Sequence, residues 1–198
     1  MSAPAQEVVE GSTVSSRTSP GVTLWFTGLP SSGKSTIAHA LADRLNAHGH
    51  RVQVLDGDQV RPHLSQGLGY SREDRDINVR RIGWVARLLA GHGVVVLVPV
   101  IAPYADARQA VRDDHLAAGV AYGEVFVSTP LEVAESRDVK GLYARARRGE
   151  LRGLTGIDDP YERPLSPELV VDTARVDLET AVERAEALLA ALTERATT

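Results

Sequence analysis

Short apolar runs alternate along the chain with segments whose apolar residues recur every three or four positions. The runs at 22–26, 51–55, 94–101, 124–127 and 169–171 have strand length, and the run at 94–101 is apolar throughout, as in strands inside parallel sheets. Helical spacing follows at 37–45, 82–89 and 178–192, and 106–118 is also predicted to be helical. This alternation predicts βαβ units and a three-layer α/β fold with a mainly parallel sheet flanked by helices.

Length and local composition predict one domain with a tail. The chain has 198 residues, and domains average roughly 150 residues. Residues 1–20 are rich in Ser, Thr, Ala and Gly and lack the basic start and apolar stretch of a secretory signal. We therefore expect a flexible tail at 1–20, a domain at 21–198 and a cytoplasmic location.

Charge and composition exclude several classes of function. Lys plus Arg number 22 and Asp plus Glu 26, so the net charge of −4 argues against a nucleic-acid partner. The chain has no cysteine, which excludes disulfides, thiolate zinc sites and a cysteine nucleophile. No apolar run approaches the roughly 20 residues of a membrane span, so no membrane partner is expected.

A phosphate-binding loop follows the first predicted strand. Gly28-x-x-x-x-Gly33-Lys34-Ser35 matches the Walker A pattern, with a strand before it and a helix after it. The glycines let successive N–H groups point at phosphate oxygens, Lys34 reaches the β- and γ-phosphates, and the Ser35 hydroxyl ligates Mg²⁺. The predicted nucleotide contacts are Gly28, Leu29, Pro30, Ser31, Ser32, Gly33, Lys34, Ser35 and Thr36.

Two carboxylates end the second predicted strand. Asp56 and Asp58 would lie at the carboxyl edge of the sheet, where α/β proteins bind ligands. They could organise Mg²⁺ and its water or accept a proton from an attacking hydroxyl. An ordinary Asp-Gly turn explains the same residues and stays open.

Two arginine-rich segments have alternative interpretations. The first carries arginines at 61, 72, 75, 80 and 81, which suit phosphate or sulfate oxygens but also a solvated helix face. Arg80 and Arg81 are adjacent and cannot both face one ligand. The second cluster, at 145–152, predicts a mobile basic lid at roughly 138–163, with a solvated loop as the alternative.

Beyond these features, the chain resembles the adenylyl-sulfate kinase family over nearly all of 21–173. The resemblance rests on the segments 28–36, 55–61, 68–75, 78–81, 101–104, 129–133, 140–143 and 153–162 in this order. The Walker loop alone is unspecific, whereas the later set is specific to the family.

The resemblance implies a P-loop kinase fold and transfer of the ATP γ-phosphate to the 3′-hydroxyl of adenosine 5′-phosphosulfate, giving 3′-phosphoadenosine 5′-phosphosulfate. It also implies ATP and Mg²⁺, usually a homodimer, and a functional link to ATP sulfurylase. Lys34 and Asp58 would be catalytic, and Ser35 and Asp56 would hold the metal. The acceptor site would comprise Asp58, Arg61, Tyr70, Arg75, Asn78, Ile101, Ala102, Lys140, Gly153 and Leu154, with Tyr70 stacked on the adenine.

Two departures from the family pattern concern the acceptor site. Ala102 stands where the family often has a serine, for which a phosphorylated intermediate has been proposed, so transfer here is expected to be direct. Leu154 stands where the family often has Phe, a stacking partner for the acceptor base. They motivate two alternatives: a related P-loop kinase with another nucleotide or small-molecule hydroxyl as acceptor, and a nucleotide-sensing subunit without turnover.

Overall fold

The computed structural model describes residues 21–196, and its strands form one parallel sheet. These strands are β1 (Val22–Thr27), β2 (Val52–Val54), β3 (Val95–Pro99), β4 (Ala121–Val127) and β5 (Leu169–Val171). Their order in the sheet is β2-β3-β1-β4-β5, and each pairing is parallel. The predicted parallel α/β sheet is confirmed, while the predicted tail at 1–20 lies outside the described residues.

Helices cover both faces of the sheet. They are α1 (Lys34–Ala47), α2 (Gly57–Leu64), α3 (Arg72–Ala90), α4 (Ala105–Ala117), α5 (Leu131–Arg137), α6 (Leu142–Arg147) and α7 (Leu178–Ala196). One core joins Leu24 and Phe26 of β1 to α1 and α7, and the other joins Trp25 to α3 and α4. The three-layer prediction is therefore confirmed. Within 21–196, no helix is both long and apolar enough to cross a membrane.

Three helices and part of one strand depart from the predicted pattern. Helix α2 is short and contains Pro62, and its apolar residues Val60 and Leu64 are only partly buried against the core. Helices α5 and α6 are short and bury only Ala134 and Tyr143 respectively. Strand β4 begins three residues before the predicted run and includes Gly123, where a Cβ would lie 2.6 Å from Leu192 of α7.

The parallel sheet directs the chain to one functional edge. The loop after β1 leads into α1, Asp56 lies just beyond β2, Ala102 follows β3, and Thr173 follows β5. Because the strands are parallel, all of these segments meet at the carboxyl ends of the strands. This arrangement places the predicted phosphate loop beside residues that are far away in sequence.

The contact between α3 and α4 requires a glycine. A Cβ on Gly83 would lie 2.6 and 2.8 Å from the two γ-carbons of Val111, closer than real Cβ atoms come. We expect Gly83→Ala to lower the free energy of unfolding by about 1–3 kcal/mol through overpacking, measured by urea denaturation. Val111→Ala removes both γ-carbons, so the double variant should recover part of the loss, whereas simple additivity would contradict this account.

Candidate active site

A cleft of about 780 Å³ runs along the carboxyl edge of the sheet and brings the predicted site residues together. The phosphate loop lines it from Pro30 to Thr36, whereas Gly28 and Leu29 lie beneath that surface and contribute carbonyl groups. The predicted metal ligand Asp56 lines the same cleft as Ser35. All the predicted acceptor-site residues also line it, namely Asp58, Arg61, Tyr70, Arg75, Asn78, Ile101, Ala102, Lys140, Gly153 and Leu154.

The loop between β1 and α1 is curled tightly against its neighbours. Gly28 has a φ of 151°, and a Cβ there would lie 2.5 Å from the carbonyl oxygen of Val127. Gly33 has a φ of 104° and precedes the first turn of α1. Backbone of this shape favours glycine, which explains why the pattern needs glycine at both ends.

Lys34 is buried inside this loop. Its ammonium donates to the carbonyl oxygens of Gly28 at 3.0 Å and Leu29 at 2.7 Å. Burial lowers the pKa of Lys34 to about 7, against the opposing effect of the Asp56 carboxylate and with a smaller lowering from Lys140. Phosphate oxygens at this position would favour the charged ammonium and strengthen its hydrogen bonds.

Three side chains that the sequence did not reveal fix the phosphate loop from outside. The carbonyl oxygen of Ser32 accepts hydrogen bonds from Thr129 and Thr173, both at 2.9 Å, and lies 3.5 Å from an Arg137 nitrogen. Arg137 also donates to the Thr173 hydroxyl and carbonyl oxygens at 2.7 and 2.9 Å. These residues follow β4 and β5, so only the sheet topology brings them to the loop.

Ser35 and Asp56 form the pair of oxygens that the sequence predicted as a metal site. The Ser35 hydroxyl donates to Asp56 Oδ2 at 2.6 Å, and Asp56 is only 6% exposed. Within 21–196, no group of three or more His, Cys, Asp or Glu residues is arranged to hold a metal. A hydroxyl and one carboxylate fit Mg²⁺, which usually completes its shell with water and substrate phosphates.

Asp58, in the first turn of α2, lies beside the segment that leads into α6. Its exposed carboxylate forms an ion pair with Lys140. Asp56 meanwhile caps α2 by accepting a hydrogen bond from the Asp58 backbone N–H at 2.9 Å. Asp56 and Gly57 therefore begin α2 rather than form a plain turn, and Asp58 in the first turn of that helix lines the cleft.

Tyr70 is an exposed ring at the other end of the cleft. It is 62% exposed, and the guanidinium carbon of Arg61 lies 4.1 Å from its ring centroid. This cation–π contact holds the ring while leaving much of it accessible. The pair forms an aromatic platform at the acceptor end.

Arg75 and Asn78 are committed largely to other protein groups. Arg75 donates to the carbonyl oxygen of Tyr70 at 2.9 Å, the hydroxyl of Thr155 at 2.9 Å and the carbonyl oxygen of Gly153 at 2.5 Å. The Ser65 hydroxyl donates to Asn78 Oδ1 at 2.5 Å. Three of the five N–H groups of Arg75 are thus used, and one of its terminal nitrogens also lies 3.8 Å from Asp159 Oδ2.

The arginines of the 145–152 cluster do not all face the cleft. Arg152 lines it, whereas Arg147 pairs with Glu135 at 2.8 Å and Arg148 pairs with Glu150 at 2.6 Å. Among the described residues, Arg152 is the only arginine of this cluster on the cleft wall. The solvated-surface alternative therefore describes Arg147 and Arg148, while Arg152 occupies a position from which it could reach a phosphate.

Comparisons with known proteins agree with this geometry. The sequence model of the family described as adenylylsulphate kinase matches residues 20–172. The chain belongs to this family. The adenylyl-sulfate kinase of a Picosynechococcus species is 54% identical over 177 residues, covering 88% of this chain and 94% of that protein. The enzyme of the same name from Chloroflexus aurantiacus is 55% identical over 175 residues, covering 88% and 90%.

Solved structures place the fold among P-loop kinases of this family. The Mycobacterium tuberculosis APS kinase in complex with AMPPNP and APS matches with a TM-score of 0.83 and 45% identity, covering 86% of this chain and 98% of that one. A hexameric APS kinase from Thiobacillus denitrificans matches with a TM-score of 0.66 and 37% identity, covering 87% of this chain and 29% of that one.

A small third hydrophobic core lies between the phosphate loop and residues 142–157. Tyr143 and Leu154, both buried, pack there with Leu29 of the loop. The Tyr143 hydroxyl donates to the carbonyl oxygen of Pro30 at 3.0 Å. Leu154, which the resemblance placed over the acceptor base, is only 7% exposed and lines the cleft from within this core.

Tyr143→Phe tests this connection. The substitution leaves the buried carbonyl of Pro30 without its donor, so we expect the free energy of unfolding to fall by about 1–3 kcal/mol. Chemical denaturation measures it, and Tyr70→Phe is the control because the Tyr70 ring is exposed. Equal stability of the Tyr143→Phe variant and the wild type would show that the bond does not hold the loop.

Proposed function

We propose that this chain transfers the γ-phosphate of ATP to the 3′-hydroxyl of adenosine 5′-phosphosulfate. The observation that carries the proposal is a single cleft, lined on one side by the phosphate loop with Lys34 and on the other by Asp58, Tyr70 and Lys140. Family membership supports the same conclusion, since the Mycobacterium tuberculosis relative was solved with both AMPPNP and APS.

The donor half of the cleft binds ATP. Its phosphates lie against the loop N–H groups, and the Lys34 ammonium stabilises charge on the moving phosphoryl group, where positioning and electrostatics supply most of the catalysis. The adenine lies between Arg137 and the apolar residues Val176 and Leu178, which line the same end of the cleft. Ser35 and Asp56 hold Mg²⁺, which neutralises phosphate charge when bound.

The acceptor half binds the phosphosulfate nucleotide. The exposed ring of Tyr70 stacks on its adenine, and Asp58 orients the 3′-hydroxyl and accepts its proton. Lys140 must leave its pair with Asp58 to reach a phosphate or sulfate oxygen. Transfer is direct, because Ala102 offers no hydroxyl to carry the phosphoryl group.

The proposal also covers the lid, the domain, the location of the enzyme and the source of its acceptor. The segment at roughly 138–163 acts as the lid of a single kinase domain at 21–198, with Arg152 as its phosphate-facing arginine. The enzyme works in the cytoplasm, where ATP is available, and receives its acceptor from an ATP sulfurylase. The cleft supports the lid through Arg152, whereas the location and the link to an ATP sulfurylase rest on the sequence and on the family resemblance.

A product assay tests the proposed reaction. Purified protein with Mg²⁺, ATP and adenosine 5′-phosphosulfate should release ADP and a nucleotide with the mass of the 3′-phosphorylated acceptor, and chelation of Mg²⁺ should stop it. Lys34→Ala should lower kcat by about 10²–10³-fold, because it removes a preorganised charge. Arg184→Ala, at an exposed position on α7 outside the cleft, is the control and should keep the wild-type rate.

Other results would contradict the proposed acceptor or the proposed reaction. Faster phosphorylation of a sulfate-free nucleotide or another hydroxyl compound would favour a related kinase. Nucleotide binding without turnover on any acceptor would favour a nucleotide-sensing subunit. Full activity of Lys34→Ala would refute the role of the phosphate loop.

We also propose that the protein is a homodimer that pairs through α3. Ile77, Trp84 and Leu88 lie on one face of this helix and are 41%, 54% and 44% exposed. The helix carries acidic residues at 73, 74 and 76 and basic residues at 72, 75, 80, 81 and 87. Two copies packed antiparallel would bury the apolar stripe in a two-fold interface.

Trp84→Arg tests the dimer. The substitution places a charge at the centre of the stripe, so we expect light scattering to give the mass of a monomer for the variant and of a dimer for the wild type. Leu165→Arg is the control, since Leu165 is 95% exposed and stands on the segment before β5, outside the apolar stripe of α3. A monomeric wild type, a hexamer or an unchanged variant would contradict this interface.

A further inference from the structure

Arg108 of α4 is buried behind the acceptor half of the cleft and does not line it. Its side chain is 3% exposed. One terminal nitrogen donates to the carbonyl oxygen of Ala102 at 2.7 Å, and the other donates to the carbonyl oxygen of Glu162 at 2.7 Å. A single guanidinium therefore bridges the segment that follows β3 and the segment that closes the cleft from the opposite side.

The charge of Arg108 is compensated where it lies. Its Nε is 2.8 Å from Glu124 of β4, a carboxylate that is itself nearly buried. Arg112, one turn further along α4, lies 3.6 Å from Glu124 and 2.5 Å from Glu168. Burying such charges is costly unless they are paired, and pairing alone rarely gives a net gain in stability. The pair therefore calls for a reason other than stability.

The Ala102 carbonyl belongs to backbone in a strained conformation. Ala102 has a φ of 42°, in the left-handed region that costs a non-glycine residue free energy and persists only where the surroundings impose it. Thr27 holds the preceding carbonyl, that of Ile101, at 2.6 Å. Ile101 and Ala102 both line the cleft, so their conformation shapes its floor.

Glu162 ties the opposite segment to the same point. Its backbone N–H donates to the carbonyl oxygen of Pro103 at 2.8 Å, and its carboxylate accepts from the Ala105 N–H at 2.7 Å. The Tyr104 hydroxyl donates to Asp159 at 3.0 Å. The segment carrying Gly153 and Leu154 is therefore fixed at its far end against residues 102–105.

We propose that Arg108 is a positioning residue for the acceptor: it holds Ala102 in its left-handed conformation and locks the 153–162 segment onto it. This inference rests on the proposed function for the identity of the acceptor. The geometry itself does not depend on that identity. Because Arg108 bonds the segments of Ala102 and Glu162 and not the phosphate loop itself, loss of the bridge affects acceptor binding more than ATP binding.

Arg108→Lys is the direct test. Lysine keeps the positive charge beside Glu124. Its single ammonium lacks the planar fork of the guanidinium and cannot bridge both carbonyl oxygens. We expect the KM for adenosine 5′-phosphosulfate to rise about tenfold, as loss of one charged hydrogen bond implies, with the KM for ATP within about twofold of wild type. Arg112→Lys is the matched control, because Arg112 shares the ion-pair network but pairs with Glu124 and Glu168 rather than with either carbonyl. It should shift neither KM.

Ala102→Gly provides the rescue. Glycine adopts a positive φ without strain. The rise in the acceptor KM caused by Arg108→Lys should therefore be smaller when Ala102→Gly is also present, measured against Ala102→Gly alone. If Arg108→Lys does not fold, the pair Arg108→Met and Glu124→Gln removes both charges together and should show the same selective rise in the acceptor KM. No selective rise in either variant, or an equal rise with Arg112→Lys, would overturn the proposal.

Amide hydrogen exchange separates this inference from the proposed function. Arg108→Lys should speed exchange at 101–105 and 153–162 relative to wild type and to Arg112→Lys, whatever the acceptor is. Wild-type protein that makes no product from adenosine 5′-phosphosulfate would contradict the proposed function alone. Unchanged exchange in both segments would contradict the bridge alone.

Discussion

The structure depends on burying a lysine ammonium in a loop of backbone at the end of the central strand. Removing Lys34 from water is costly, and the shift of its pKa to about 7 reflects that cost. Carbonyl groups of Gly28 and Leu29 offset part of it. A phosphate oxygen is a stronger acceptor than a carbonyl because it is charged, so a triphosphate suits this site better than the loop's own atoms do.

That loop can hold its shape only because distant segments support it. The Ser32 carbonyl accepts from Thr129 and Thr173, which arrive from the ends of β4 and β5. The third core adds Tyr143, whose hydroxyl reaches the Pro30 carbonyl, and Gly156, where a Cβ would lie 2.7 Å from Leu29. The acceptor segment is thus packed against the loop at Leu29.

Many charges of the cleft have protein partners, with consequences for how a substrate binds. Asp58 pairs with Lys140, and Arg75 uses three of its N–H groups on backbone and Thr155. A nucleotide must either exchange with such partners or use the donors that remain. Arg75 holds the Gly153 carbonyl and the Thr155 hydroxyl and also lies 3.8 Å from Asp159, so a ligand must share this arginine with the protein.

The sequence by itself determined the parallel α/β sheet and the phosphate loop, because local spacing encodes both. The residues of the acceptor site came instead from the resemblance of the later segments to the family. Only the tertiary structure revealed α2, α5 and α6, which are short and bury little. It also decided that Leu154 lies in a small core, that Arg147 and Arg148 pair with carboxylates away from the cleft, and that Arg108 bridges two carbonyls. The Arg108 bridge joins residues 54 positions apart, from Arg108 to Glu162, and no local pattern records such a contact.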